Sequence, residues 1–170
     1  MLVTSRVFFR RLLLTGVLLA APAAHADFND GIAAFAAGDY NKAMQVFQPL
    51  AATSNHAYAQ YFLGRMYLEG RGIERDPAEA AKWLRKAAEQ SVKEAQYQMG
   101  SLYVRGEGVP KDMEQAYAWL SCAAHLGSPR AQEALAGLQL SAEEKTAADK
   151  LAEELIAKYG KTPATTSVAQ

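Results

Sequence analysis

From Phe28 onward the apolar positions recur at helical spacing, and glycine, proline and polar clusters cut them into short runs. Phe28, Ile32 and Phe35 give a first helix its apolar face, Gly38-Asp39-Tyr40 makes a turn, and Ala43, Val46, Phe47 and Leu50 give a second helix. Ala59, Leu63, Met66 and Tyr67 carry a third until Gly70-Arg71-Gly72 stops it. Asp76-Pro77-Ala78-Glu79 then starts a fourth: Asp76 can accept from orphan amides, Pro77 suits the first helical position, and Glu79 can close a capping box. The pattern predicts helices joined by tight turns throughout.

The stretch His56 to Gly127 is the same unit written twice. With a shift of about 36 residues, Ala59-Gln60-Tyr61 falls on Ala95-Gln96-Tyr97, Gly64 on Gly100, Tyr67 on Tyr103, and Gly70 and Gly72 on Gly106 and Gly108. Downstream, Asp76 falls on Asp112, Ala80 on Ala116, Trp83-Leu84 on Trp119-Leu120 and Ala87-Ala88 on Ala123-Ala124, about 13 identities in all, with Ile73 on Val109 as a near-match. Asp112 stands three residues before Gln115, so the second copy also opens its later helix on a capping-box pattern. A period of this length marks a helical-repeat solenoid.

The repeated string, Ala-Gln-Tyr, Gly, Tyr, Gly-x-Gly, Asp and then Trp-Leu-x-x-Ala-Ala, resembles the Sel-one-like repeat, a relative of the tetratricopeptide repeat with a longer turn. The resemblance implies an all-α fold, a right-handed α-solenoid of about four antiparallel helix pairs, whose first helices line a concave surface that serves as an adaptor for protein complexes. It implies no chemistry. The units are residues 56–91 and 92–127, flanked by a worn tetratricopeptide-like unit over 27–55 and a capping helix pair over 128–160. In that cap, Ser128-Pro129 opens a helix and Ala131-Gln132 lies one period beyond Ala95-Gln96. Ser141 to Glu144 is a further capping box, and Ala147, Leu151, Leu155 and Ile156 form the inward face of the last helix, which ends near Tyr159-Gly160. Residues 161–170 read as a polar tail.

Residues 1–26 stand apart. Arg6, Arg10 and Arg11 make a basic leader, Leu12 to Ala21 is an apolar run, and Ala24-His25-Ala26 has small residues where a signal peptidase reads them, so cleavage is expected before Asp27 and the product should be periplasmic or secreted. Arg10-Arg11 loosely resembles a twin-arginine signal, although paired basic residues also occur in ordinary leaders. The run is shorter than the roughly 20 residues of a membrane span. Three of the 18 basic residues leave with the leader and none of the 18 acidic ones, so the mature chain carries −3. A mildly acidic chain without a basic cluster argues against nucleic acid or an anionic membrane surface as partner.

Chemistry is scarce. Cys122 is the single cysteine, which rules out an intrachain disulfide. It lies three residues before His125 on one helix, but a metal site needs three or four donors and His56 is remote in sequence, so a semi-buried packing cysteine is the better reading and no metal is expected. Gly70-x-Gly72 and Gly106-x-Gly108 follow helices instead of strands and read as turns, so no cofactor is expected. Trp83 and Trp119 sit at matching places on apolar faces, as repeated core residues do. Gly64, Gly70, Gly72, Asp76 and Trp83, with their counterparts Gly100, Gly106, Gly108, Asp112 and Trp119, are therefore assigned structural roles.

Specialisation is expected where the copies disagree. Tyr58 pairs with Glu94, Phe62 with Gln98, Arg65 with Ser101 and Glu69 with Arg105, and each set recurs at three- and four-residue steps, forming one stripe on each first helix. The resemblance places this stripe on the concave side, where Tyr58, Phe62 and Arg65 have the character of binding hot spots; an ordinary solvated face with two incidental aromatics is the competing reading. The favoured function is a non-enzymatic exported adaptor for a protein or peptide partner. The alternative is a penicillin-binding or β-lactam-hydrolysing protein like the cysteine-rich branch of the family, which carries a cysteine pair in each repeat.

Overall fold

The computed structural model describes residues 27–161; residues 1–26, where a leader is expected, and residues 162–170 lie outside the described residues. Among the described residues there are eight helices, α1 (Phe28–Ala36), α2 (Tyr40–Ala52), α3 (Ala57–Glu69), α4 (Pro77–Glu89), α5 (Lys93–Arg105), α6 (Met113–His125), α7 (Pro129–Gly137) and α8 (Ala142–Tyr159), and no strand. From α1 to α7 each helix packs against the next, giving an all-α helical-repeat solenoid.

The helix starts follow local chemistry. Asp76 accepts from the amides of Ala78 and Glu79, Asp112 from that of Gln115, and Ser128 from that of Ala131. Only Ser141 and Glu144, among these, exchange both bonds of a capping box. At Asp76 and Asp112 the expected second half is missing: their backbone N–H groups donate instead to Tyr67 O at 2.9 Å and Tyr103 O at 3.1 Å, and Glu79 pairs with Lys82. The hairpin supplies the acceptor that a capping-box carboxylate would otherwise provide, and this ties the turn to the preceding helix.

Within each regular unit, glycine brings the two helices together. A Cβ on Gly64 would stand 2.7 Å from Leu84 Cγ, and one on Gly100 2.6 Å from Leu120 Cγ, so a side chain at either place would force the pair apart. Between units the turn does the joining. Gly108 has φ +71, and a Cβ there would lie 2.0 Å from Pro77 O, at the start of the preceding unit's α4. Gln60 and Gln96 add a polar tether: the Gln60 amide donates to Ala51 O at 3.2 Å and that of Gln96 to Ala88 O at 3.1 Å, each reaching the end of the helix before its own. Both glutamines are buried, and their repeated place marks them as inter-unit joints that the sequence pattern left unexplained.

One cluster fills α1 to α3 around Phe47, Leu63 and Met66; a second fills α4 to α6 around Leu84, Met99, Leu102 and Trp119. The closing helices depart from the expected hairpin. α8 packs on α6 and touches α4, where a regular unit would set it against α7. Tyr159 stacks on Trp119 at 5.8 Å, Lys145 donates to the Tyr117 hydroxyl at 2.8 Å, and the Cys122 thiol donates to Leu155 O at 3.7 Å. The flank that receives it carries Ala118 and Cys122, both fully buried, where the preceding copy has the exposed Lys82 and Lys86. Docking on α6 also turns the inner face of α8 by one residue. Ala147, expected inside, is exposed, and Ala148 and Ala152 are buried, with Leu151, Leu155 and Ile156 half-buried.

Candidate functional site

The disagreeing stripe splits into two parts. On α3, Tyr58 is the one large hydrophobic side chain exposed among the described residues, at 42%. Phe62 is half-buried, stacked on Phe47 at 5.1 Å and edge-on to Phe35 at 5.2 Å. Arg65 lies over the rings of Phe35 and Tyr61 and bonds Glu69 at 3.0 Å, and Glu69 is shared with Arg71 at 2.5 Å. The worn first unit therefore covers much of the α3 stripe with its own aromatic side chains. Phe62 and Arg65 are at once rim and packing, a double role that the spacing on α3 alone did not reveal.

On α5 the stripe is polar throughout. Glu94, Gln98 and Ser101 are half-buried and Arg105 is exposed, with Arg105 bonded to Glu107 at 2.8 Å. Glu107 also receives Arg75 from the previous turn, so both arginines are partly neutralised. Glu94 differs: its Oε2 is buried and has no hydrogen-bond partner among the described residues. The neighbouring hydroxyls feel it. Burial and then the Glu94 charge push the Tyr58 phenol above its ordinary pKa, and burial chiefly does the same at Tyr61, where Arg65 opposes and Glu94 adds.

At the other end of the α5 stripe the sequence predicted no cavity, yet one is there. Ser101, Val104 and Arg105 of α5, Leu120 of α6, and Ala134, Gly137 and Leu138 enclose a slot of about 250 Å³. Its origin is the length of α7. The first helices of the regular units have 13 residues, whereas α7 has 9 and gives way to extended backbone at Leu138. One helical turn is missing, and the space it would fill stays open beside the exposed stripe. The Leu138-Gln139-Leu140 run, which interrupts the repeat, was the available signal.

The remaining chemical candidates are occupied structurally. His56 caps α3 by accepting from Ala59 N at 3.2 Å, and its ring stacks on Phe28 at 4.5 Å. Cys122 is fully buried, which pushes its thiol pKa up to about 11. Trp119 is 1% exposed beneath Tyr159, while its counterpart Trp83 is half-buried with the Lys86 ammonium 4.4 Å from its ring centre. Tyr61 packs forward onto the α4 to α6 cluster and Tyr97 onto the Leu120 cluster, so both fill the seams between units. Among the described residues no three His, Cys, Asp or Glu side chains group to hold a metal ion, and no helix is long and apolar enough to cross a membrane.

The Sel1 repeat model matches residues 57–92 and 93–128, that is, α3 with α4 and α5 with α6. Among solved structures the chain is similar to a protective antigen present in uropathogenic Escherichia coli strains and displaying an SLR fold, with TM-score 0.75 and 30% identity over 84% of this chain and 34% of that one. It is similar also to a Sel1 repeat protein from Oxalobacter formigenes, with TM-score 0.61 and 30% identity over 76% of this chain and 55% of the other. The chain thus spans about a third of the first relative and about half of the second. Comparison with curated proteins gives no match.

Proposed function

Because the chain is a Sel1-like repeat protein, we propose that it is an exported, non-enzymatic adaptor that holds a protein or peptide partner on its concave surface, along the stripe of α3 and α5. Repeats of this family are commonly protein-interaction scaffolds, and the observation that carries the reading here is a continuous surface. Tyr58, Glu94, Gln98, Ser101 and Arg105 run from an exposed aromatic ring to an apolar slot without a core role for any of them. An exposed Tyr at one end and an exposed Arg beside a preformed slot at the other are residue types enriched among the hot spots of interfaces. The basic residues, apolar run and Ala24-His25-Ala26 of residues 1–26 support export.

The test is capture of partners from the exporting cell with the tagged mature protein, with Tyr58→Ala/Arg105→Ala as the comparison. Both side chains are exposed, so the variant should unfold within about 1 kcal/mol of the parent while partner recovery falls at least tenfold. Full recovery by the variant would move the site off this face. Intact mass of the exported product should begin at Asp27, and incubation with a chromogenic β-lactam should give no turnover; hydrolysis by the pure protein would replace the adaptor reading with the enzymatic one.

A further inference from the structure

Four residues of α5, Glu94, Gln98, Ser101 and Arg105, share one face of the helix, but its two ends have opposite character. At the start stands a carboxylate with one oxygen, Glu94 Oε2, buried and unpaired among the described residues, at the same register as the exposed Tyr58 ring one repeat earlier. Glu94 as a whole is half-buried and no Lys or Arg pairs with it among the described residues, so its charge is open to a cationic donor at the surface, and a tyrosine face attracts the same cation. At the far end is the 250 Å³ slot, walled by Val104, Leu120, Ala134 and Leu138, which has room for one large apolar side chain. Glu94 and the residues at the slot are separated by two to three helical turns, roughly 10 to 16 Å along the axis. An extended chain covers that in roughly three to five residues.

We propose that this face takes an extended segment carrying a basic side chain and a large apolar one roughly three to five residues apart, the basic group seated on Glu94 beside Tyr58 and the apolar one in the slot at Leu138. The inference rests on the α3–α5 face being the binding surface and adds the partner's chemistry and its spacing. The polarity is specific. Arg105 at the slot is already bonded to Glu107, so a partner carboxylate there finds a half-neutralised guanidinium, whereas a partner cation at Glu94 meets a half-buried carboxylate that no Lys or Arg pairs among the described residues. Residues 162–170 do not fit this description, since they contain no Lys or Arg.

The experiment uses capped, fluorescently labelled peptides with a Ser/Ala background, each holding one Arg and one Leu separated by none to eight residues, titrated with the purified protein. Affinity should peak at the intermediate spacings and exceed Arg-only and Leu-only peptides at least tenfold. Glu94→Gln should remove at least tenfold of the binding to the Arg peptide and almost none of that to its citrulline analogue, with Glu94→Asp recovering part; thermal unfolding confirms that each variant is folded. Flat dependence on spacing, unchanged binding by Glu94→Gln, or no binding up to about 1 mM would each overturn the inference. Amide shift mapping separates the two levels: peptides that perturb α3 and α5 without preferring Arg sink this inference alone, and peptides that perturb only other helices sink the binding-face reading with it.

Discussion

Gly108 and Gly127 offer a controlled pair for measuring how the units are joined. Both have positive φ, +71 and +77, so alanine at either place carries the left-handed backbone penalty of about 1 to 2 kcal/mol. They differ in what a Cβ would meet. At Gly127 nothing lies within 4 Å, whereas at Gly108 the Cβ would be 2.0 Å from Pro77 O and 2.4 Å from Pro77 C. That contact is with backbone at the first residue of α4, which cannot rotate away, so the turn or the helix has to move, at about 1 to 3 kcal/mol more. Gly127→Ala should thus lose about 1 kcal/mol and Gly108→Ala about 3 to 4 kcal/mol, which corresponds to melting points lower by about 3 °C and about 10 °C. Urea unfolding followed by both circular dichroism and tryptophan fluorescence provides the assay, and coincidence of the two probes checks that the repeat array melts as one unit. Equal losses in the two variants would refute the argument, because they would mean that φ alone matters and that the turn does not bear on the preceding unit. Gly38, with φ +79 and open space around it, serves as a second control.

The equivalent tryptophans should part company under truncation: Trp119→Ala should lose about 3 to 5 kcal/mol by opening a cavity under Tyr159, and Trp83→Ala, already half-exposed, about 1 to 2 kcal/mol, both read by urea unfolding. Phe62→Ala should lose about 2 to 3 kcal/mol through its stack on Phe47, and a loss below about 0.5 kcal/mol would return Phe62 to the purely exposed stripe. Cys122, with its pKa pushed up to about 11 by burial, should resist a thiol-disulfide reagent at pH 8 until the protein unfolds; its ionisation favours the unfolded chain, so this contribution to stability is present below pH 9 and is lost as pH rises toward 11. The bonds from Ser141 hold the Glu144 carboxyl below its ordinary pKa, so the capping contribution is present above that value and lost as pH falls through the depressed one. NMR titration should show Glu144 titrating lower than in Ser141→Ala.

What the chain determines by itself is whatever depends on neighbours a few residues away. The helix ends were legible because the side chains of Asp76, Asp112, Ser128 and Ser141 accept from amides only two or three residues on, and the two regular units because a repeated core leaves a repeated pattern. The stripe was legible as a disagreement between copies. What depended on distant partners was not legible. Phe62 and Gln98 share a register, yet only Phe62 meets the aromatic side chains of α1 and α2, because those helices precede α3, whereas α4 is the helix packed before α5. Trp83 and Trp119 hold the same register in their repeats and differ in burial because α8 covers one of them. α8 could take that place because α7 ends one turn early and α6 offers Ala118 and Cys122 in place of two lysines, and the same shortened helix leaves the slot. Hydrophobic periodicity states that a face must be buried; which surface buries it is settled by shape and by competition among all the faces present, and that exists only once the whole chain has packed.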